Sequence, residues 1–497
     1  MVSGRLLSHQ YICTSRHHHY DFDAWMLHMS WSQSQHDLPL YRLGIMVEDF
    51  KFAFNAWCLL RLCCFYGTAH PSILSLLSHV TPTMHIGHRG NRLFYLHCNV
   101  GTGIQRGFRS ASVPPDPTRR RVALLPEHPL AVPLDTFNWN SIPEVGVDLV
   151  LGMENGMSKA CSDSCDTYLS IPQFGSIGSL SMLSALSIAM HAAHTSYRGI
   201  ANPSLSPIPR NATCDLEKDT DLASRTFRCQ RPHHSSLLGL DDHAILHLLQ
   251  HRRQQYKLQI GILWHNDCAD RNIGAVMRNA NAYNCDRFLI LNRKKFSKRG
   301  AVGTMNYLST VFADELEAVR SHLEGFDLWM LHPYFPNLNS HVHELASDSK
   351  FLNDFNAHPE RFKVSKGGSI VPTDAPSFYR FEDATLQDWL RSNREVNPAL
   401  HPMYREMESS LRPAVHFDDW GSVFSAVSQV HQRSLRGVML VVPEEGATPQ
   451  WHLLRECSRV AYVVHPSRLC HEIQRGLTPA MSTAIALYNL RLAINAL

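Results

Sequence analysis

The spacing of apolar positions along the chain predicts alternating short strands and amphipathic helices. Short apolar runs at residues 43–47 and 259–264 read as strands, and each leads through a polar loop into a helix, residues 54–66 and 271–283. A second strand follows in each place, at residues 72–77 and 287–291. Strand, crossover helix and parallel strand form the βαβ unit of an α/β domain. Further apolar strands are predicted at residues 147–151, 168–172, 438–442 and 461–466, with helices from Leu180 to about Ala193 and from about Thr478 to Leu490.

These elements occur twice, in the same order. Laid over residues 261–291 without a gap, residues 44–74 put Gly44 on Gly261, Asn55 on Asn272, Arg61 on Arg278 and Tyr66 on Tyr283. So long a period indicates two copies of a domain rather than a solenoid of small units. Later in the chain Glu154 answers Glu445, a wider offset that places an insertion of mixed charge and high aromaticity in the second copy, at about residues 335–430. The boundaries expected are an N-terminal extension at 1–40, a first domain at 41–195, a linker and helix at 196–257 and a second domain at 258–497. Within the linker, residues 236–256 read as a helix.

Composition adds limits. A chain of 497 residues is long enough for two or three domains. The net charge of +3 does not by itself call for a polyanionic partner. Local basic clusters at Arg119–Arg121, Arg252–Arg253, and Arg293, Lys294 and Lys295 followed by Lys298 and Arg299 suit phosphate contacts, with a solvated charged face as the alternative. The thirteen cysteines follow no small-scaffold spacing, and several sit inside apolar runs, as reduced buried thiols do. Cys161 and Cys165 have no second pair to complete a zinc site, and His243, His247 and His251 read as a polar helix face, so no metal is expected. No apolar run is long enough to predict a membrane span. The first twenty residues hold Arg5 and Arg16 and no acid, which fits an organellar transit segment or a polar terminus equally.

Three motifs carry the candidate chemistry. NIGAVMRNANAYNCDRFLIL resembles the first motif, N-x-G-x-x-x-R, of the SpoU/TrmH-type RNA ribose 2′-O-methyltransferases of the SPOUT class. VDLVLGMENGMSKAC resembles their second motif, a strand ending in G-x-E-x-x-G. IPQFGSIGSLSMLSALSIAM resembles their third, I-P-x-x-G-x-x-x-S-L-N-x-S-x-A. The resemblance implies two tandem trefoil-knotted α/β domains forming an internal pseudo-dimer, with S-adenosylmethionine as cofactor. It further implies RNA as partner: ribosomal RNA first, transfer RNA second, with ribosomal large-subunit precursor proteins and a mitochondrial setting by analogy.

Carried over by position, Asn272, Arg278, Glu154 and Ser181 are the catalytic candidates. Gly152, Gly156, Ile171, Gly175 and Leu180 are the cofactor-binding candidates, and Arg61, Arg293, Lys294, Lys295 and Arg299 the RNA-binding ones. The copies depart from the pattern in complementary places. Trp57 replaces the first-motif Gly in copy one, whereas Pro443, His465 and Gly476-Leu477-Thr478-Pro479 disturb the later motifs of copy two. One cofactor pocket in copy one, faced by the Asn272/Arg278 helix of copy two, is therefore expected. Ser181 stands where the family has Asn, which makes a catalytically inactive RNA-binding factor in ribosome assembly the alternative.

Overall fold

The computed structural model describes residues 43–48, 53–66, 68, 72–74, 109–111, 119–139, 146–152, 156–177, 179–197, 237, 239–265, 272–292, 296, 298–332, 362–364, 370–372, 413–443, 453, 456–464 and 477–497. The first part of the chain contributes β1 (Leu43–Val47), α1 (Ala53–Tyr66), β2 (Ser72–Leu74), β3 (Arg109–Ala111), β4 (Arg120–Leu124), β5 (Val132–Pro133), β6 (Val147–Leu151), α2 (Lys159–Asp163), β7 (Thr167–Ser170) and α3 (Met182–Tyr197). After α4 (Asp242–Gln255) come β8 (Gln259–His265), α5 (Ile273–Ala282), β9 (Arg287–Leu291), β10 (Ser309–Ala313), α6 (Arg320–Leu323) and β11 (Phe326–His332). A small antiparallel pair follows, β12 (Phe362–Val364) and β13 (Ile370–Pro372). The chain then forms β14 (Ala414–His416), α7 (Trp420–Gln432), β15 (Gly437–Val442), β16 (Arg459–Tyr462) and α8 (Pro479–Asn495).

Among the described residues two seven-stranded parallel sheets result, and they share one plan. The first runs β3-β2-β1-β6-β4-β7-β5 and the second β10-β9-β8-β15-β11-β16-β14, so each strand of one has a counterpart at the same place in the other. Central strands of such sheets are covered on both faces and therefore apolar throughout. Leu43, Ile45 and Val47 of β1 join the main core with α1 and α3, while Met46, Ala123 and Val150 point the other way, onto Cys161 and Cys165 around α2. The main apolar cluster is continuous from residues of the first sheet to residues of the second, with α3 packed on α8 and α5 on α8.

Burial explains the thiols. Cys63, Cys161 and Cys285 are each pushed up to about 12, and Cys165 to about 11, all chiefly by desolvation.

Four expectations change. The helix expected from residue 236 begins at Asp242, because a turn at Gly239 intervenes and the Asp241 carboxylate caps the helix by accepting from the Ala244 amide at 2.7 Å. Residues 414–432 do not belong to the insertion: they add β14 and α7 to the second sheet, which leaves the extra chain between β11 and β14.

The cluster at Arg119–Arg121 is neither a phosphate patch nor a solvated face. Arg119 pairs with Asp148 at 2.7 Å, Arg120 donates to Thr167 Oγ1, and Arg121 is 2% exposed and donates to Ser164 Oγ. Arg252 and Arg253 are also buried: the first donates to Phe174 O, the second to Asn284 Oδ1 and Tyr307 O. These guanidiniums are spent inside the protein because each finds acceptors on a neighbouring element.

Candidate functional site

All strands of the first sheet are parallel, so the turns leaving β6 and β7 open along one edge, where ligands of parallel sheets gather. Leu151 ends β6 and runs into Gly152. A Cβ on Gly152 would stand 2.5 Å from Gly156 O and 2.6 Å from Met157 Cα, so the turn folds back on itself at a distance only Gly permits. Gly156 itself has φ +117° and open space beside it. Ser158 then caps α2, its hydroxyl accepting from Cys161 N at 3.1 Å.

From the end of β7 the chain passes through buried Ile171 and Pro172 to a loop that leads into α3. This loop is held from outside by α5, which lies between β8 and β9 of the second sheet. Phe174 N and Gly175 N both donate to Ala282 O, at 2.6 and 3.1 Å. A side chain on Gly175 would overlap Asn281 O. Asn281 Oδ1 accepts from Ile177 N at 2.9 Å and Ser176 N at 3.2 Å, and its amide donates to Ser176 Oγ at 2.9 Å. Arg278 completes the grip: Nε and Nη2 donate to Ser179 O at 2.9 and 2.6 Å, and Nη2 also reaches Ser179 Oγ and Leu180 O at 3.0 and 3.2 Å. Burial lowers the Arg278 pKa from its ordinary value.

The candidates therefore divide. Arg278 meets Ser179 and Leu180, and lies one helical turn from the residues that hold Gly175. Asn272 is buried at the start of α5. Ser181 serves α3: its Oγ accepts from Ser184 N at 3.1 Å and donates to Ser184 Oγ at 2.8 Å. Its counterpart Thr478 likewise caps α8 by accepting from Met481 N, so the position is a helix cap in both places. Arg61 is half-buried on α1, and Arg299 falls in a short 3-10 turn, Lys298–Ala301. Glu154, Arg293, Lys294, Lys295 and His465 lie outside the described residues. His243 and His247 are exposed on α4 with His251 half-buried a turn later, and among the described residues no group of three metal-ligating side chains gathers.

Other contacts were not foreseen from the sequence. Tyr66 lies against His191 and His194 of α3, with ring centroids 6.3 and 5.2 Å apart. At the matching place Tyr283 lies 6.3 Å from Tyr488 of α8 and accepts at its backbone oxygen from Arg491. The first of these groups reaches across to the second sheet's connection: His191 Nε2 is 3.0 Å from Phe417 O, and Tyr66 OH is 3.1 Å from His191 Nδ1. A carbonyl only accepts, so Nε2 carries the proton and Nδ1 accepts from the tyrosine. Asn281 was the more accessible signal, since it follows Arg278 by three residues and shares its helix face.

The groups fit a cofactor at this edge in kind: a tightly turned glycine pair, two buried apolar side chains (Ile171 and Leu180) and backbone held rigid from the far side. No helix among the described residues is long and apolar enough to cross a membrane. No family model matches the sequence, and no curated protein matches it. Among solved structures the chain is similar to a probable methyltransferase from Bordetella pertussis Tohama I, at 12% identity and a TM-score of 0.26, over 48% of this chain and 97% of that one. It is also similar to a probable methylase family protein from Haemophilus influenzae Rd KW20, at 10% identity and a TM-score of 0.26, over 48% of this chain and 67% of that one.

Proposed function

We propose that this protein is an S-adenosylmethionine-dependent RNA ribose 2′-O-methyltransferase of the SPOUT class. In this reading its two parallel sheets are tandem trefoil-knotted domains forming an internal pseudo-dimer, with one composite site. The observation that carries the reading is the grip of Arg278 on Ser179 and Leu180, which joins the first-motif helix of one copy to the third-motif loop of the other. The repeated strand order supports two copies of one domain.

Gly152, Gly156, Ile171, Gly175 and Leu180 would hold the cofactor, and Glu154 stands between the first two in the sequence. When bound, S-adenosylmethionine supplies a methyl group already activated on a sulfonium. The protein then has to align a ribose hydroxyl and provide a path for its proton. Asn272 and Arg278 are the groups proposed to face the ribose and its phosphate. RNA contacts are assigned to Arg61, Arg293, Lys294, Lys295 and Arg299, and the substrate to ribosomal RNA in a mitochondrial setting, on the strength of the sequence motifs and the basic segment that follows β9.

A second reading is favoured by one observation. The Ser181 hydroxyl is engaged in capping α3, and the Arg278 guanidinium in holding a loop. Groups assigned to chemistry are thus occupied in structure, as expected of an inactive RNA-binding factor in ribosome assembly.

Calorimetric titration with S-adenosylmethionine tests the first reading: one molecule bound per chain, none with Gly152→Pro. Two per chain, or none in the natural protein, would overturn it. Methyl transfer to whole RNA, lost with Arg278→Ala, separates the enzyme from the binding factor, which would bind RNA and transfer nothing.

A further inference from the structure

Glu48 belongs to none of the motifs. It follows β1 directly, in the middle of the first sheet, and only 6% of it is exposed. Burying a carboxylate is costly unless its oxygens are engaged. Two bonds account for its place. Its backbone N donates to Leu151 O at 2.9 Å, continuing the β1–β6 ladder by one step. Its side-chain Oε2 accepts from Ser158 N at 3.0 Å. Leu151 immediately precedes Gly152, and Ser158 follows Gly156 and Met157. One residue thus fastens both the entry and the exit of the glycine turn that closes on itself at Gly152 and Gly156.

In the repeat alignment the counterpart of Glu48 is His265, at the end of β8. Its Nε2 lies 3.0 Å from Asn292 Nδ2, beyond β9, on the opposite side from β15. The counterpart of Gly152 is Pro443. The acidic brace and the glycine turn therefore occur together in the first copy and are replaced together in the second.

Resting on the reading of the first copy as the cofactor-binding one, we infer that Glu48 is the positioning residue of that site: it sets the separation of Gly152 and Gly156, and with it the affinity for the methyl donor. It touches no reacting atom. Its carboxylate acts through the Ser158 amide, so an uncharged acceptor of the same shape serves nearly as well.

Hydrogen–deuterium exchange and titration on the full chain test this. In Glu48→Ala the amides of residues 156–158 exchange at least tenfold faster than in the natural protein, while those of β8 and α8 are unchanged. Glu48→Gln restores protection. S-adenosylmethionine affinity falls tenfold or more in the alanine variant and stays within threefold in the glutamine one. Unchanged exchange at residues 156–158, or acceleration across the whole chain, overturns the brace. Equal loss of affinity in both variants overturns the acceptor role. If the natural protein binds no S-adenosylmethionine, the functional reading and the link to affinity fail together, while the exchange comparison still decides whether Glu48 holds the turn.

Discussion

Asn281 and Gly274 show how much depends on single atoms along α5. Asn281 is 1% exposed and satisfies two backbone amides of a loop more than a hundred residues earlier in the chain. Asn281→Ala would take the acceptor from those half-buried donors, at a cost of about 0.5–1.5 kcal/mol. Urea unfolding monitored by fluorescence would read that loss; a midpoint equal to the natural protein's would show that the loop holds its shape unaided. Gly274 belongs to the sequence motif for a reason of space: an added Cβ would stand 2.8 Å from Ala301 N and 2.9 Å from Gly300 Cα, both backbone. Gly274→Ala is expected to destabilise by about 1–3 kcal/mol through overpacking, measured the same way. The motif glycine was plain in the sequence. Its partner at Ala301 was not, because contact between a helix and a distant turn leaves no local trace. The partnered arginines escape a sequence reading for a similar reason: Asp148 and Ser164 lie on other elements from Arg119 and Arg121, so a local run of positive charge reads as free for phosphate or solvent.

At the scale of elements, α3 and α8 carry the contact between the two sheets. Both were legible as helices, though α3 runs to Tyr197 and α8 to Asn495, past the ends expected. The apolar pattern thins before either helix ends, and for α3 the better stop signal is Gly199, two residues past Tyr197 in the sequence. α8 is apolar nearly all round because it is covered on several sides by α3, α5 and α7. Leu487→Ala should cost about 2–5 kcal/mol in chemical denaturation, as for a fully buried leucine.

Burial lowers the His191 pKa below its ordinary value, against the opposing pull of Asp418 and the Phe417 carbonyl, and the Tyr66 hydroxyl lies 3.1 Å from its Nδ1. A group whose neutral form is favoured by folding binds protons more readily when unfolded. Its contribution is therefore complete above the unfolded histidine range, near pH 6.5, and is lost as the pH falls below it. Melting temperature should drop between pH 7 and 5, and the slope should flatten in His191→Gln. An unchanged slope would assign the acid sensitivity elsewhere.

For the whole molecule, the repeated order of strands was only half visible. The first βαβ unit and the β6 and β15 strands stood out as apolar runs, whereas β5 and β14 are short edge strands and carry little pattern. Pattern alone therefore places β14 and α7 with the insertion. The continuous apolar cluster predicts that neither part folds well alone. Residues 1–198 and 236–497 expressed separately should aggregate, and co-expressed they should purify together on a tag carried by one. Two stable, independent fragments would contradict this.

One consequence follows from carrying the same strand plan twice in a single polypeptide. In an assembly of identical subunits every substitution is made on both sides of the axis at once, so a change that helps one face is imposed on the other. Here two histidines, one of them meeting a carbonyl, stand on one side while a tyrosine and an arginine occupy the matching positions on the other. Covalent joining releases related surfaces from a shared sequence, and each is free to specialise.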